Sequence, residues 1–243
     1  MTSSQEVEKE INTDDSSADG QLDLEFPETD VTLLVEGRKI HVSKAVLSQH
    51  SPVFKAMFSG NFKESKQKEV PLHDKKFQDV VEFLRSFYPN MKHKLTGHNV
   101  LQVLPLAHEY QSPLVDDCED FMISMCKPGT SLTVMSLLDY IIAAEKYALE
   151  KFLDTAVEFC SHIDFDLLNG KTFQRKAKPS NSVGPNTWIY GVQETKFISA
   201  KFFEIDLKTR HAISVRRLQV LEMDKRKMKN REGTEKEYDI QLS

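Results

Sequence analysis

Three cysteines in 243 residues, Cys118, Cys126 and Cys160, are too few and too scattered for a disulfide scaffold. No apolar run approaches the length of a bilayer span, so no transmembrane helix and no membrane partner are expected. The first twenty residues (MTSSQEVEKEINTDDSSADG) are acidic and have no hydrophobic core, unlike a secretory signal or a transit peptide. These absences favour a reducing intracellular setting, cytoplasmic and/or nuclear. Enzyme signatures are missing too. There is no glycine-rich phosphate loop, no H-E-x-x-H and no G-x-S-x-G. The eight histidines are dispersed, and Cys118 and Cys126 have no C-x-x-C or histidine partner to make a zinc site. Cys118 follows Asp116-Asp117, and acidic neighbours raise a thiol pKa, the wrong direction for a nucleophile. All three cysteines read as packing residues. Neither catalytic residues nor a cofactor nor a metal is expected.

The charge is unevenly spread. Met1–Glu25 holds 8 acids and 1 base, Phe26–Gly170 holds 20 acids and 15 bases, and Lys171–Ser243 holds 9 acids and 16 bases. The segments therefore carry −7, −5 and +7. Two solvated tails account for this more simply than nucleic-acid contact, which is not expected. Residues 1–25 read as an acidic disordered tail and 171–243 as a basic tail of uncertain fold. Lys176–Asn186, rich in Pro, Ser, Asn and Gly, reads as a linker within it. Phe203, Ile205 and Leu207 alternate as in a strand, and Ile213, Val215, Leu218 and Leu221 lie among many bases. Arg216-Arg217, followed after seven residues by Lys225-Arg226-Lys227, resembles a bipartite nuclear import signal. Such a signal needs two exposed basic clusters, and a solvated helix face explains the bases equally well.

Val31–Val42 reads as a hairpin turning at Glu36-Gly37. That register sets Val35 against Arg38, Leu33 against Ile40 and Val31 against Val42, so one face is almost wholly apolar. On the other face Thr32 opposes His41, with Asp30 diagonal and within reach. Asp30 and His41 are taken as a structural polar pair. Ser43 would cap a helix through His50. Ser51 would cap the next, with Pro52 at its first position and Phe54, Met57 and Phe58 on one stripe. Phe62-Lys63-Glu64 follows, an exposed hydrophobe two residues before a carboxylate, suited to touching another protein. Val70 and Leu72 fit a third strand. Asp74 would cap a helix carrying Phe77, Val80, Val81, Leu84 and Tyr88, stopped by Pro89.

From Asn99 the pattern is helical, with an echo at an offset of 37 residues. Ala107 and Tyr110 match Ala144 and Tyr147, Leu104 matches Ile141, Val115 matches Phe152 and Met122 matches Phe159. Each copy reads as a helix, a tight turn and a second helix, stacked to bury one core. Pro105 should kink or shorten the first of these helices.

Residues Phe26–Met125 resemble a BTB/POZ domain. The resemblance rests on Asp30-Val31, Gly37, His41–Leu47, Ser51-Pro52-Val53-Phe54, Met57-Phe58, Phe62–Ser65, Val70–Asp74 and Phe83–Pro89. It implies an α+β fold, a short β-sheet flanked by helical hairpins, over 26–127. Residues 130–170 resemble the short helical extension that follows this domain in MATH–BTB adaptors, and Ala144–Leu149 matches an A-x-K-Y-x-L motif there. No stretch resembles a MATH or kelch domain. The family implies a dimerising interaction module, a homodimer or a heterodimer with another BTB protein. Many members are substrate adaptors of cullin-RING ubiquitin ligases, with a hydrophobe-x-Glu triplet contacting the cullin. Carried onto this chain, the cullin-binding residues would be Phe62 and Glu64, helped by Tyr88 and Met91, and the substrate protein is not named by the sequence. The alternative is a nuclear scaffold or transcriptional co-regulator that binds no cullin. Gln21–Glu28 is too short and acidic for the amphipathic helix that many members swap between partners, but Leu22, Leu24 and Phe26 would form a short strand.

Overall fold

The computed structural model describes residues 24–26, 29–59, 62–89, 91, 93–127, 129–170 and 192–241. The tail over 1–23 and the linker at Lys176–Asn186 lie outside them. Four strands, β1 (Leu24–Glu25), β2 (Val31–Val35), β3 (Arg38–Val42) and β4 (Glu69–Pro71), form one sheet in the order β1-β3-β2-β4. The β2–β3 pairing has the register that the apolar alternation requires: Val31 opposite Val42, Leu33 opposite Ile40 and Val35 opposite Arg38. Val31, Leu33, Val35, Ile40 and Val42 are buried. Each such side chain contributes roughly 1.5–3 kcal/mol, so a one-residue slip is strongly disfavoured. Glu36 and Gly37 both have positive φ, 49° and 75°, which lets the tight turn follow the twist of the strands. β1 and β4 pair parallel with β3 and β2. Leu24 and Glu25, read from composition as part of the acidic tail, therefore belong to the sheet.

Helices α1 (Lys44–His50), α2 (Pro52–Ser59), α3 (Lys63–Lys66) and α4 (Phe77–Phe87) complete the α/β half. Ser51 caps α2 as its sequence suggests: its Oγ accepts from the Phe54 N–H (3.1 Å) and donates to the Tyr110 carbonyl (2.6 Å). Two other expected caps are corrected. Ser43 precedes α1 but its side chain makes no cap bond; its backbone N–H donates to the Tyr88 hydroxyl (2.5 Å). Asp74 lies in the turn before α4, at φ 59°. The carboxylate at the start of α4 is Glu36 from the hairpin turn, which accepts from the Phe77 N–H (2.8 Å), while the Arg38 guanidinium sits over the Phe77 ring. A cap brought from 41 residues away has no local sequence signal.

The remaining helices are α5 (Val100–Glu109), α6 (Leu114–Met125), α7 (Val134–Tyr147), α8 (Glu150–Ser161), α9 (Phe165–Leu168), α10 (Val192–Glu204) and α11 (Leu207–Gln241). α5 runs four residues past Pro105, so the expected shortening does not occur. The repeated A-x-x-Y has a backbone cause. Gln111 and Ala148 follow the two tyrosines at φ 50° and 55°. The next N–H then donates back to the repeated alanine's carbonyl, Ser112 to Ala107 (2.8 Å) and Leu149 to Ala144 (2.9 Å). This is a Schellman closure with residues other than glycine at the left-handed position.

The helices stack as three hairpins. α5 contacts α7 and α7 contacts α10 in one layer, while α6 contacts α8 and α8 contacts α11 in the other. Carboxylates join neighbouring hairpins: the buried Glu119 of α6 accepts from the Phe152 N–H in the first turn of α8 (3.0 Å). Glu145 of α7 accepts from the Asp206 N–H (3.1 and 3.0 Å), just before α11. The strand expected near Phe203–Leu207 is therefore corrected to the end of a helix. Ile198, Phe202 and Ile205 are buried at helical spacing, whereas Phe203 and Leu207 face out. Lys201 pairs with Asp139, Arg216 with Glu158, and Phe202 meets Phe165 edge to face.

Candidate partner-binding surface

The Phe62-Lys63-Glu64 triplet opens α3, a single turn held from below by one lysine. The Asp30 carboxylate accepts from the backbone N–H of Lys44 (2.7 Å), fixing the start of α1. The Lys44 ammonium then donates to the Ser65 carbonyl (3.1 Å) and lies 5.5 Å from the centre of the Phe58 ring. Ser65 closes the turn: its N–H and Oγ both donate to the Phe62 carbonyl, at 3.2 and 2.7 Å. With its backbone so fixed, Phe62 leaves its ring 58% exposed and Glu64 is half-buried. An exposed aromatic ring on a fixed backbone gives up little conformational freedom when it enters an apolar pocket. Met91, also exposed, is tied through its N–H to the Tyr88 carbonyl (3.1 Å).

Tyr88 does not belong to this surface. Its side chain is wholly buried, tilted against Phe26 at 4.6 Å between ring centres and bonded to the Ser43 N–H. Its aromatic character serves the core, and the expectation that it contacts a partner is corrected. The Asp30–His41 pair is corrected as well: His41 Nδ1 bonds Thr32 Oγ1 (2.9 Å) across the ladder, and Asp30 serves Lys44. Both roles remain structural. Lys39 of β3 reaches Glu69 on the edge strand β4 at 2.9 Å, and that hydrogen bond holds the Glu69 carboxyl below its usual range.

Burial governs the thiols. It pushes Cys118 up to about 12, with Asp117 adding to the effect, and Cys126 up to about 11. Cys160 is raised further by the same burial. Among the described residues no group of three or more His, Cys, Asp or Glu could hold a metal ion, and no helix is long and apolar enough to cross a membrane.

The order of elements around α3, with its antiparallel hairpin, parallel β4 and the α4–α6 helices, coincides with a family match. The BTB/POZ domain model matches residues 21–125. Residues 21–125 are a BTB/POZ domain. The chain is 33% identical over 129 residues to BTB and MATH domain-containing protein 38 of Caenorhabditis elegans, covering 53% of this chain and 31% of that protein. It is 32% identical over 136 residues to TD and POZ domain-containing protein 1 of Mus musculus, covering 55% and 36%. Over 134 residues it is 32% identical to Kelch-like protein 17 of Homo sapiens, covering 52% and 21%. The chain thus spans about a third or less of the length of these relatives. The BTB/POZ domain is a protein-interaction module, and α3 lies on it between α2 and β4. Lys44, which supports α3, and Glu36, which starts α4, have roles that sequence reasoning missed, because each acts on a partner far along the chain.

The basic residues outside the BTB/POZ domain divide. Arg216 donates to Glu158 (2.5 and 3.1 Å), and Arg217 donates to the Ile163 carbonyl. Lys225, Arg226 and Lys227 are exposed. The two exposed clusters that a bipartite import signal needs are not both present, since the first is engaged against α8 and the chain that follows it.

Proposed function

We propose that this chain acts as a substrate adaptor in a cullin-RING ubiquitin ligase, docking on the cullin through Phe62, Glu64 and Met91 of its BTB/POZ domain. The observation that carries the reading is the Phe62 ring, mostly exposed beside Glu64 on a helical turn whose backbone is fixed by Lys44 and Ser65. Phe62 would fill an apolar pocket as the anchor, and Glu64 would accept hydrogen bonds at the rim. Association with a second BTB domain, of the same or another chain, would supply two docking sites per assembly. The substrate protein would be recruited by segments outside the BTB/POZ domain. The test is a pull-down with a cullin N-terminal domain. Retention of wild type with loss of at least tenfold in Phe62→Ala and Glu64→Lys, both folded by circular dichroism, is the expected result, a loss of about 1.4 kcal/mol or more. Equal retention of all three removes the contact.

A further inference from the structure

Among the described residues α10 and α11 form the outermost layer of the helical stack, and α11 is not dressed as an end. Terminal repeats of stacked helices present a polar outer face, because nothing covers them. α11 does not. One side of it is buried on α8 through Ile213, flanked by Arg216 and Arg217. Leu207, Leu218 and Leu221 are 70%, 62% and 50% exposed. At 3.6 residues per turn they share a sector of roughly 60°, centred about 110° round the helix from Ile213. Met228, exposed as well, continues the line about two turns further on. A helix apolar on two sides belongs inside a stack rather than at its edge.

The charge beside this stripe says what would cover it. Between Leu207 and Met228 there are 7 Lys/Arg and 2 Asp/Glu. Arg216 and Arg217 are engaged on the α8 side. Lys225 interrupts the stripe and Arg210 lies at one edge with its guanidinium over the Phe203 ring, while Lys208 and Arg226 stand roughly 80° beyond the other edge. A second copy of the segment Leu207–Met228, laid on the first, would bring like charge against like charge. A membrane surface would meet only a narrow apolar line, with Glu222 beside it. A helix carrying leucine-like residues at the same spacing between acidic flanks would satisfy both the apolar line and the bases.

We propose that the outer stripe of α11, Leu207, Leu218, Leu221 and Met228, is a docking surface for an acidic amphipathic helix of another protein, which would extend the stack by one layer. This surface is separate from α3 and does not depend on cullin docking.

The test uses the full chain and three labelled 21-residue synthetic peptides: a leucine-striped helix with glutamate flanks, the same stripe with lysine flanks, and a glutamate peptide with its leucines scrambled. Fluorescence anisotropy is expected to show the first binding at least tenfold tighter than the other two, with affinity falling as salt rises. Leu218→Glu/Leu221→Glu, two exposed positions, should lose at least tenfold with an unchanged melting temperature. Lys225→Glu/Arg226→Glu should weaken binding and flatten its salt dependence, and Phe62→Ala should leave it unchanged. Equal binding of the striped and scrambled acidic peptides, or no effect of the Leu218/Leu221 change, overturns the proposal. So does concentration-dependent dimerisation abolished by that change, which assigns the stripe to a second copy. Co-sedimentation with phosphatidylserine vesicles in preference to the acidic peptide assigns it to a membrane surface instead.

Discussion

Ala148 occupies the left-handed region at φ 55° with its Cβ present and its side chain exposed. That conformation costs an L-residue about 1–2 kcal/mol, against a smaller entropic penalty for glycine. Ala148→Gly should therefore raise the stability of the chain by about 0.5–1 kcal/mol, read as a higher urea midpoint at constant slope. A lower midpoint would mean that the turn after α7 does not set the local strain. Tyr88 is the opposite case, a residue fully used by the core. Tyr88→Phe keeps the ring but leaves the Ser43 N–H without its bond, and should cost about 1–3 kcal/mol. The thiols give a chemical check. With Cys118 pushed up to about 12 and Cys126 to about 11, almost no thiolate exists at pH 8. Iodoacetamide should modify none of the three cysteines in the native chain within the time that it modifies all three in guanidinium, as counted by mass spectrometry.

At the scale of elements, carboxylates from elsewhere in the chain hold the N-terminal ends of three helices, beside local caps such as Thr133 on α7 and Asp206 on α11. Glu36 serves α4, Glu119 serves α8 and Glu145 serves α11. A carboxylate at a helix N-terminus answers both the unpaired N–H groups and the positive end of the dipole. Glu36→Ala should cost about 1 kcal/mol, with faster amide exchange in the first turn of α4 as the local sign. The attachment of α11 to α8 has a pH signature. Arg216, through its hydrogen bond and then His162, holds the Glu158 carboxyl below its ordinary value. A carboxyl depressed in the folded state stabilises above its unfolded pKa, near 4.5, and that contribution is lost as pH falls through the lower folded value. Amide exchange in α11 should therefore rise as pH drops below about 4.5, after correction for intrinsic rates. In Glu158→Gln it should be faster at neutral pH and respond less.

For the whole molecule, the consequence of three stacked hairpins is that the third is structural as well as a surface. Ile198, Phe202, Ile205 and Ile213 are buried in the same cluster as the α7 and α8 cores. Ending the chain after Gly170 would open that face to water, at roughly 1.5–3 kcal/mol per large side chain uncovered. The truncated chain should melt several degrees lower and bind a hydrophobic dye that the full chain does not.

Period-two and helical patterns were legible wherever neighbours in sequence are neighbours in space. The β2–β3 register follows from alternating apolar residues, the Ser51 cap from a local bond, and the echo between α5/α6 and α7/α8 from repeated burial at the same helical positions. The exposure of Phe62 was legible too, since no apolar periodicity claims it. Other features had no such signal. Tyr88 looks like a surface tyrosine at a helix end until the Ser43 amide and Phe26 close around it. Asp30 stands diagonal to His41 in the ladder, but the free N–H of Lys44 attracts it more directly. Phe203, Ile205 and Leu207 alternate as in a strand because a helix ends and a second begins among them, each with its own buried face. The sequence by itself determined the sheet, the helical repeat and the identity of the exposed triplet, because those depend on periodicity and on bonds between near residues. Only the tertiary structure decided which carboxylate starts which helix, which bases remain free, and which apolar residues of α11 are left facing water, because each of those depends on what lies across a packed interface.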